Sequence, residues 1–226
     1  KSYVSYKDTR FIVFWSKNPK PLLRHLPILK QRGIGCYIQY SLNDYEEEGL
    51  EKNVPPIEQR IETFKQLTNA LGKGHVIWRF DPLVLTDSIN IDKLLDKVEN
   101  IGNQLLGYTE KLVFSFADIL SYRKVQANLQ KASINYIDWQ ENQMREFARR
   151  LSVLNQKWGY ELATCGEKID LTEFGVKKNH CVDDELIIKL AYDDKKLMDY
   201  LKVKFYPMPQ KSLFGDSESL PDSDII

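Results

Sequence analysis

Five strand-like runs in this chain end in side chains able to bind or react. The first leads into Lys17 and Asn18, the second contains Gln39 near its end, and the third carries Arg79 and Asp81. The fourth reaches Ser115 and Asp118, and the fifth Thr164 and Glu167. Arg79 and Lys17 suit an anionic group, and an arginine fork can grip a carboxylate or phosphate through two parallel N–H donors. With Asn18, Gln39, Ser115 and Thr164 they are the candidate ligand-binding residues. Carboxyl groups move protons, so Asp81, Asp118 and Glu167 are the candidate catalytic or amine-binding groups. A plainer reading makes all of these helix caps and rim ion pairs. Asp81 precedes Pro82 and can shape a turn. Arg79 and Asp81 alternate on one side of a strand and can neutralise each other.

Metal ligation finds little support. His180, Cys181 and the distant Cys165 fall short of the four closely spaced ligands that zinc takes, so no metal site is expected. Cys36 lies inside a strand and reads as a packed apolar residue. His25 and His75 show no partner pattern, and the run Glu46-Glu47-Glu48 reads as a solvated loop. No phosphate-binding glycine loop, dinucleotide fingerprint, zinc-protease helix or serine-hydrolase elbow occurs in the 226 residues.

The elements that must carry these residues are readable from periodicity. Strands are expected at 11–15, 36–42, 75–80, 112–116 and 160–164, where β-branched and aromatic residues cluster. Between them, Ile57, Ile61, Phe64, Leu67 and Leu71 make one helical stripe, with Pro56 at its start and Gly72 at its end. Ile91, Leu94, Leu95, Val98, Ile101 and Leu105 make a second, with Asn90 as N-cap. Phe147, Leu151, Leu154 and Trp158 make a third, with Asp138 and Glu141 at capping-box spacing and Gly159 as the stop. Shorter helices are expected at 21–30 and 184–197. The four tryptophans read as core. Residues 204–226, rich in Pro, Ser and Asp, read as an extended or disordered tail after an α/β domain over 1–203.

Regular alternation of strand and helix implies a parallel sheet. Two architectures follow: a partial (β/α) TIM-type barrel, or an open doubly wound sheet. The barrel is favoured because it lets all five strand ends share one mouth. In a doubly wound sheet only those beside the switch point would meet.

Bulk properties bound the function. Lys plus Arg is 32 and Asp plus Glu is 32, so the net charge is zero and no basic excess points to nucleic acid. No apolar run reaches the roughly 18 residues of a membrane span, and no membrane partner is expected. Three cysteines with no C-x-x-C pair fit a reducing compartment, hence the cytoplasm. A small-molecule ligand is the expected partner. Oligomeric state is not encoded in any feature of the sequence.

Several strings together resemble an uncharacterised bacterial family, domain of unknown function 1848. They are FIVFWSKNP at 11–19, NVPPIEQRI at 53–61, VIWRFDP at 76–82, GYTE at 107–110, TCGEKID at 164–170 and the segment 175–183 containing His180-Cys181. The similarity spans roughly residues 9 to 200. That family is similar to radical S-adenosylmethionine enzymes in usually carrying a C-x-x-x-C-x-x-C cluster near its C-terminus. The resemblance implies a partial barrel with a [4Fe-4S] cluster and S-adenosylmethionine at its mouth. This chain has no such triplet, so the resemblance also implies that the cluster segment lies outside residues 1–226 or is missing from this member. The functional expectation is an enzyme working at the strand C-terminal face, radical S-adenosylmethionine-like where a cluster is carried. The alternatives are a non-catalytic small-ligand or nucleotide-binding domain, and a hydrolase or lyase barrel working by carboxylate chemistry.

Overall fold

The computed structural model describes residues 7–203; the expected tail at 204–226 lies outside them. Six parallel strands form one sheet: β1 Phe11–Ser16, β2 Gly35–Ser41, β3 Val76–Leu83, β5 Lys111–Phe116, β7 Glu161–Cys165 and β8 Val176–Asn179. A separate antiparallel ribbon joins β4 Leu85–Thr86 to β6 Tyr136–Ile137. The helices are α1 Leu26–Gln31, α2 Ile57–Leu71, α3 Ile91–Gln104, α4 Arg123–Lys131, α5 Glu141–Asn155, α6 Asp184–Leu190 and α7 Lys195–Tyr200. Short 3-10 turns cover Lys20–His25 and Thr172–Phe174.

The α/β class is as expected, and the sheet is open. Its order, β1-β2-β3-β5-β7-β8, leaves β1 and β8 as edges, so no barrel closes among the described residues. The order also follows the chain without reversal. There is therefore no switch point, and every strand presents its C-terminal end along one rim.

The two-residue side-chain period of a strand sorts the sheet into two faces. Even-numbered residues such as Ile38, Trp78, Phe80, Phe114 and Leu162 pack with Phe64, Leu67, Leu94, Val98, Phe147 and Leu151 of α2, α3 and α5. Odd-numbered Tyr37, Ile77, Val113 and Ala163 pack with Ile187, Ala191, Leu197 and Met198 around α6 and α7. Those two helices cover only the N-terminal half of the second face. Nearer the rim the odd positions turn polar: Gln39, Ser41, Arg79, Asp81 and Ser115.

Local signals explain the element ends. Asn90 caps α3, its side chain accepting from Lys93 N–H at 2.9 Å, and Gly72 ends α2 at φ 100°. The capping box of α5 is Gln140 with Gln143, not Asp138 with Glu141. The amide side chains take the same two bonds, and the chain before them is held by the β4–β6 ribbon. The expected helix at 21–30 is split into a 3-10 turn and α1, with Pro27 at the junction. The one at 184–197 is broken between α6 and α7, where Asp194 starts a new cap. Strand β8 (VKKN) lacks apolar alternation, and α4 shows only the pair Val125 and Leu129, four residues apart, so both fall outside the elements expected from the sequence. Three tryptophans are buried; Trp15 is 52% exposed.

Candidate functional site

The side chains that meet on the polar rim are Gln39, Arg79, Asp81 and Ser115, with Cys165 beside them. Arg79 is 1% exposed. Its Nε and Nη2 donate to Asp81 Oδ2 at 3.0 and 2.5 Å, and its Nη1 donates to Gln39 Oε1 at 2.6 Å. The other Asp81 oxygen accepts from the Ser115 hydroxyl. The exposed Trp15 ring caps the guanidinium, 4.3 Å from centroid to Cζ, an arrangement that cation–π attraction favours. Trp15 Nε1 in turn donates to Ser41 Oγ at 3.1 Å.

Asn43, buried at the end of β2, holds the backbone here. Its Oδ1 accepts from Asp81 N–H at 2.8 Å and its Nδ2 donates to Asp81 O at 3.1 Å. These bonds extend the β2–β3 edge past its last ladder pair, Ser41 with Arg79, beside the point where the β3–β5 register shifts between Phe80 and Leu83. Tyr45 Oη donates to Pro82 O at 2.9 Å and accepts from Val84 N–H at 3.0 Å. Asp81 is thus fixed through both its carboxylate and its backbone.

An open cleft of about 1030 Å³ lies beside this network, at the ends of β5 and β7. Its wall includes Ser115, Asp118, Trp139, Arg145, Cys165 and Glu167. Glu167 is half-buried, and one of its oxygens accepts from Phe116 N–H at 2.8 Å. Burial raises its carboxyl above the usual range. The Phe116 hydrogen bond opposes that shift, while the charges of Asp81 and Asp118 add to it. A carboxyl with a raised pKa keeps its proton to a higher pH and can donate it. Asp118 is exposed and accepts from Ser121 N–H and Oγ at 3.3 and 2.6 Å.

Not all the expected residues join. Lys17 pairs with Glu51 at 2.5 Å, and Glu51 also bonds buried Arg60 at 3.2 Å. Asn18 is exposed and donates its backbone N–H to Ser16 Oγ at 3.0 Å. Thr164 is even-numbered and buried, so it faces the helix layer. Three donors of Arg79 are used within the protein, which makes it a holder of Asp81 where the sequence suggests an anion clamp. The residues that sequence reasoning missed are Trp15, Asn43 and the cysteine pair. Their signal was the odd-numbered alternation, which groups Trp15 and Cys165 with Gln39, Arg79 and Ser115.

An iron–sulfur cluster needs three or four thiolates. Cys36 faces the helix layer, where burial pushes its thiol up to about 11. Cys165 and Cys181 lie on the other face. The cysteines of this chain therefore do not make a cluster ligand set, and among the described residues no group of three His, Cys, Asp or Glu side chains is placed to hold a metal.

A family model described as Domain of unknown function (DUF1848) matches residues 1–205. No curated protein matches. Among solved structures, a citrate lyase from Burkholderia xenovorans LB400 is similar at 10% identity and a TM-score of 0.24, covering 86% of this chain and 82% of that one. Among the described residues, no helix is long and apolar enough to cross a membrane.

Proposed function

The chain belongs to the DUF1848 family, and from that premise we propose that it is an enzyme moving a proton on a small polar molecule in the cleft at the ends of β5 and β7. The observation that carries this reading is Glu167, a half-buried carboxyl with a raised pKa in the cleft wall, beside two further carboxylates. Glu167 is the proton donor. Asp118, exposed in the same wall, is the base or the contact for a substrate amine. Asp81, locked by Arg79, Asn43 and Ser115, is a positioning residue whose charge helps set the pKa of Glu167. This is carboxylate chemistry of the hydrolase or lyase kind. A radical S-adenosylmethionine reaction rests on the family likeness and gains no support from the cysteines of this chain. Three unpaired thiols favour a reducing compartment such as the cytoplasm.

The test is to incubate the protein with a library of small polar metabolites, identify binders by ligand-observed NMR, and follow their masses with time. The wild type should convert at least one binder, and Glu167→Gln should bind it but convert it at least a hundredfold more slowly, in line with the contribution of general acid catalysis. Binders that the wild type leaves unchanged would overturn the catalytic reading and leave a ligand-binding domain.

A further inference from the structure

We propose that Cys165 and Cys181 form a reactive dithiol that a hydroperoxide oxidises to a disulfide at the edge of the cleft. The two sulfurs are 3.4 Å apart. Cys165 ends β7 and pairs with Asn179 of β8. Cys181 lies two residues beyond Asn179, so the chain brings it back diagonally beside Cys165.

This approach is built into the fold. Gln39 Nε2 donates to Cys181 O at 2.6 Å. Asp183 N–H donates to Tyr37 Oη at 2.9 Å, and the Asp183 carboxylate is held by Lys111 Nζ at 2.6 Å. The 181–183 segment is therefore tied to β2 and to β5 on both sides of β3. Gln39 also bonds Arg79, so the loop that carries Cys181 and the network that holds Asp81 share one side chain.

The surroundings favour oxidation over metal binding. Burial raises the pKa of the Cys165 thiol, and Cys181 adds to the rise while Arg79 beside it opposes it, so Cys165 keeps its proton until the disulfide forms. The same guanidinium repels a cation bound between the sulfurs. Cys181 is exposed and Cys165 half-buried, which assigns their order of reaction. The Cys181 sulfur attacks the O–O bond of the hydroperoxide and becomes a sulfenic acid, releasing an alcohol, or water where the oxidant is hydrogen peroxide. The Cys165 sulfur then attacks the Cys181 sulfur. The S–S bond forms, the S–O bond breaks, and hydroxide leaves as water with the Cys165 proton. In sum two thiols lose two electrons and two protons, and one hydroperoxide is reduced to alcohol and water. Closing the sulfurs to bonding distance, about 2.05 Å, changes the cleft wall at Cys165.

The experiment treats the reduced full chain with a small excess of hydrogen peroxide, counts free thiols under denaturing conditions, and maps peptides by mass spectrometry. The free thiols should fall from three to one, Cys36, with a loss of two hydrogens and a peptide linking residues 165 and 181. Dithiothreitol should restore all three. Cys181 is exposed, so Cys181→Ser should fold normally, and it should leave Cys165 reduced at the same dose. Three unchanged thiols, a sulfinic acid at Cys181 without the link, or dimers joined through Cys181 would each overturn the proposal.

Discussion

Arg79 and Asp81 sit two residues apart on β3, and two guanidinium nitrogens of Arg79 converge on one oxygen of Asp81 at 3.0 and 2.5 Å. The remaining Asp81 oxygen is left for Ser115, next to the cleft. A buried cation with every partner inside the protein is part of the framework. Its work is to present a carboxylate at a fixed place and charge.

Removing that cation should cost stability. Arg79→Met leaves Asp81 and the Gln39 carbonyl without their donor, and breaking a buried pair in this way costs about 3 kcal/mol. For a chain of this size that is a fall of roughly 6–12 °C in melting temperature by calorimetry. Arg79→Lys should recover only part of it, because one ammonium cannot span both Asp81 and Gln39.

Glu167 gives the opposite sign. Its folded-state pKa is raised above the ordinary value of 4.5. The neutral form is favoured by folding, so its stability contribution is complete below 4.5 and is lost as pH rises through the folded-state value. Glu167→Gln, which keeps an acceptor for Phe116 N–H, should therefore melt higher than the wild type at neutral pH. The difference should vanish below the ordinary glutamate value. Melting curves across pH check both statements.

Asn43 should matter as much as a charged residue. Asn43→Ala unpairs Asp81 N–H and removes a donor from Asp81 O, both at a buried site. An unmade buried bond costs about 1–3 kcal/mol, which urea denaturation would register. Amide exchange at Asp81 should quicken in the same variant.

Gly102 of α3 should resist substitution although alanine is the better helix former by about 1 kcal/mol. A Cβ there would lie 2.6 Å from the Trp158 ring. That ring is stacked on Tyr160 and bonded to Asn103 at 2.8 Å, so it cannot yield. Gly102→Ala should lose a net 1 kcal/mol or so through overpacking, seen as a lower denaturation midpoint.

Much of this was legible in the sequence. The stripes of α2 and α3 and the apolar runs of β2, β3 and β5 are strong periodic signals, and the sheet follows from their alternation. β8 was not legible, because an edge strand reading VKKN buries too little to show a pattern. The open sheet was one of the two architectures that the alternation allows; the choice between them depends on whether β1 meets a partner, and no local residue encodes that. At the site, the meeting of Arg79, Asp81, Gln39 and Ser115 was legible because strand ends in parallel sheets share a rim; their roles towards a ligand belong to the proposal. Lys17 and Thr164 were misplaced for different reasons. Lys17 is taken by Glu51, which comes from a loop that periodicity does not describe. Thr164 is one residue out of phase, so it turns to the helix layer. Counting odd and even positions along β7 would have separated Thr164 from Cys165.

The most direct measurement of the central claim is the titration of the Glu167 carboxyl by carbon-detected NMR, in the wild type and in Asp118→Asn. The account predicts a wild-type midpoint above 4.5 that moves down towards it when the neighbouring negative charge of Asp118 is removed. A midpoint at or below 4.5, unmoved by Asp118→Asn, would contradict the assignment of Glu167 as the proton donor of this cleft.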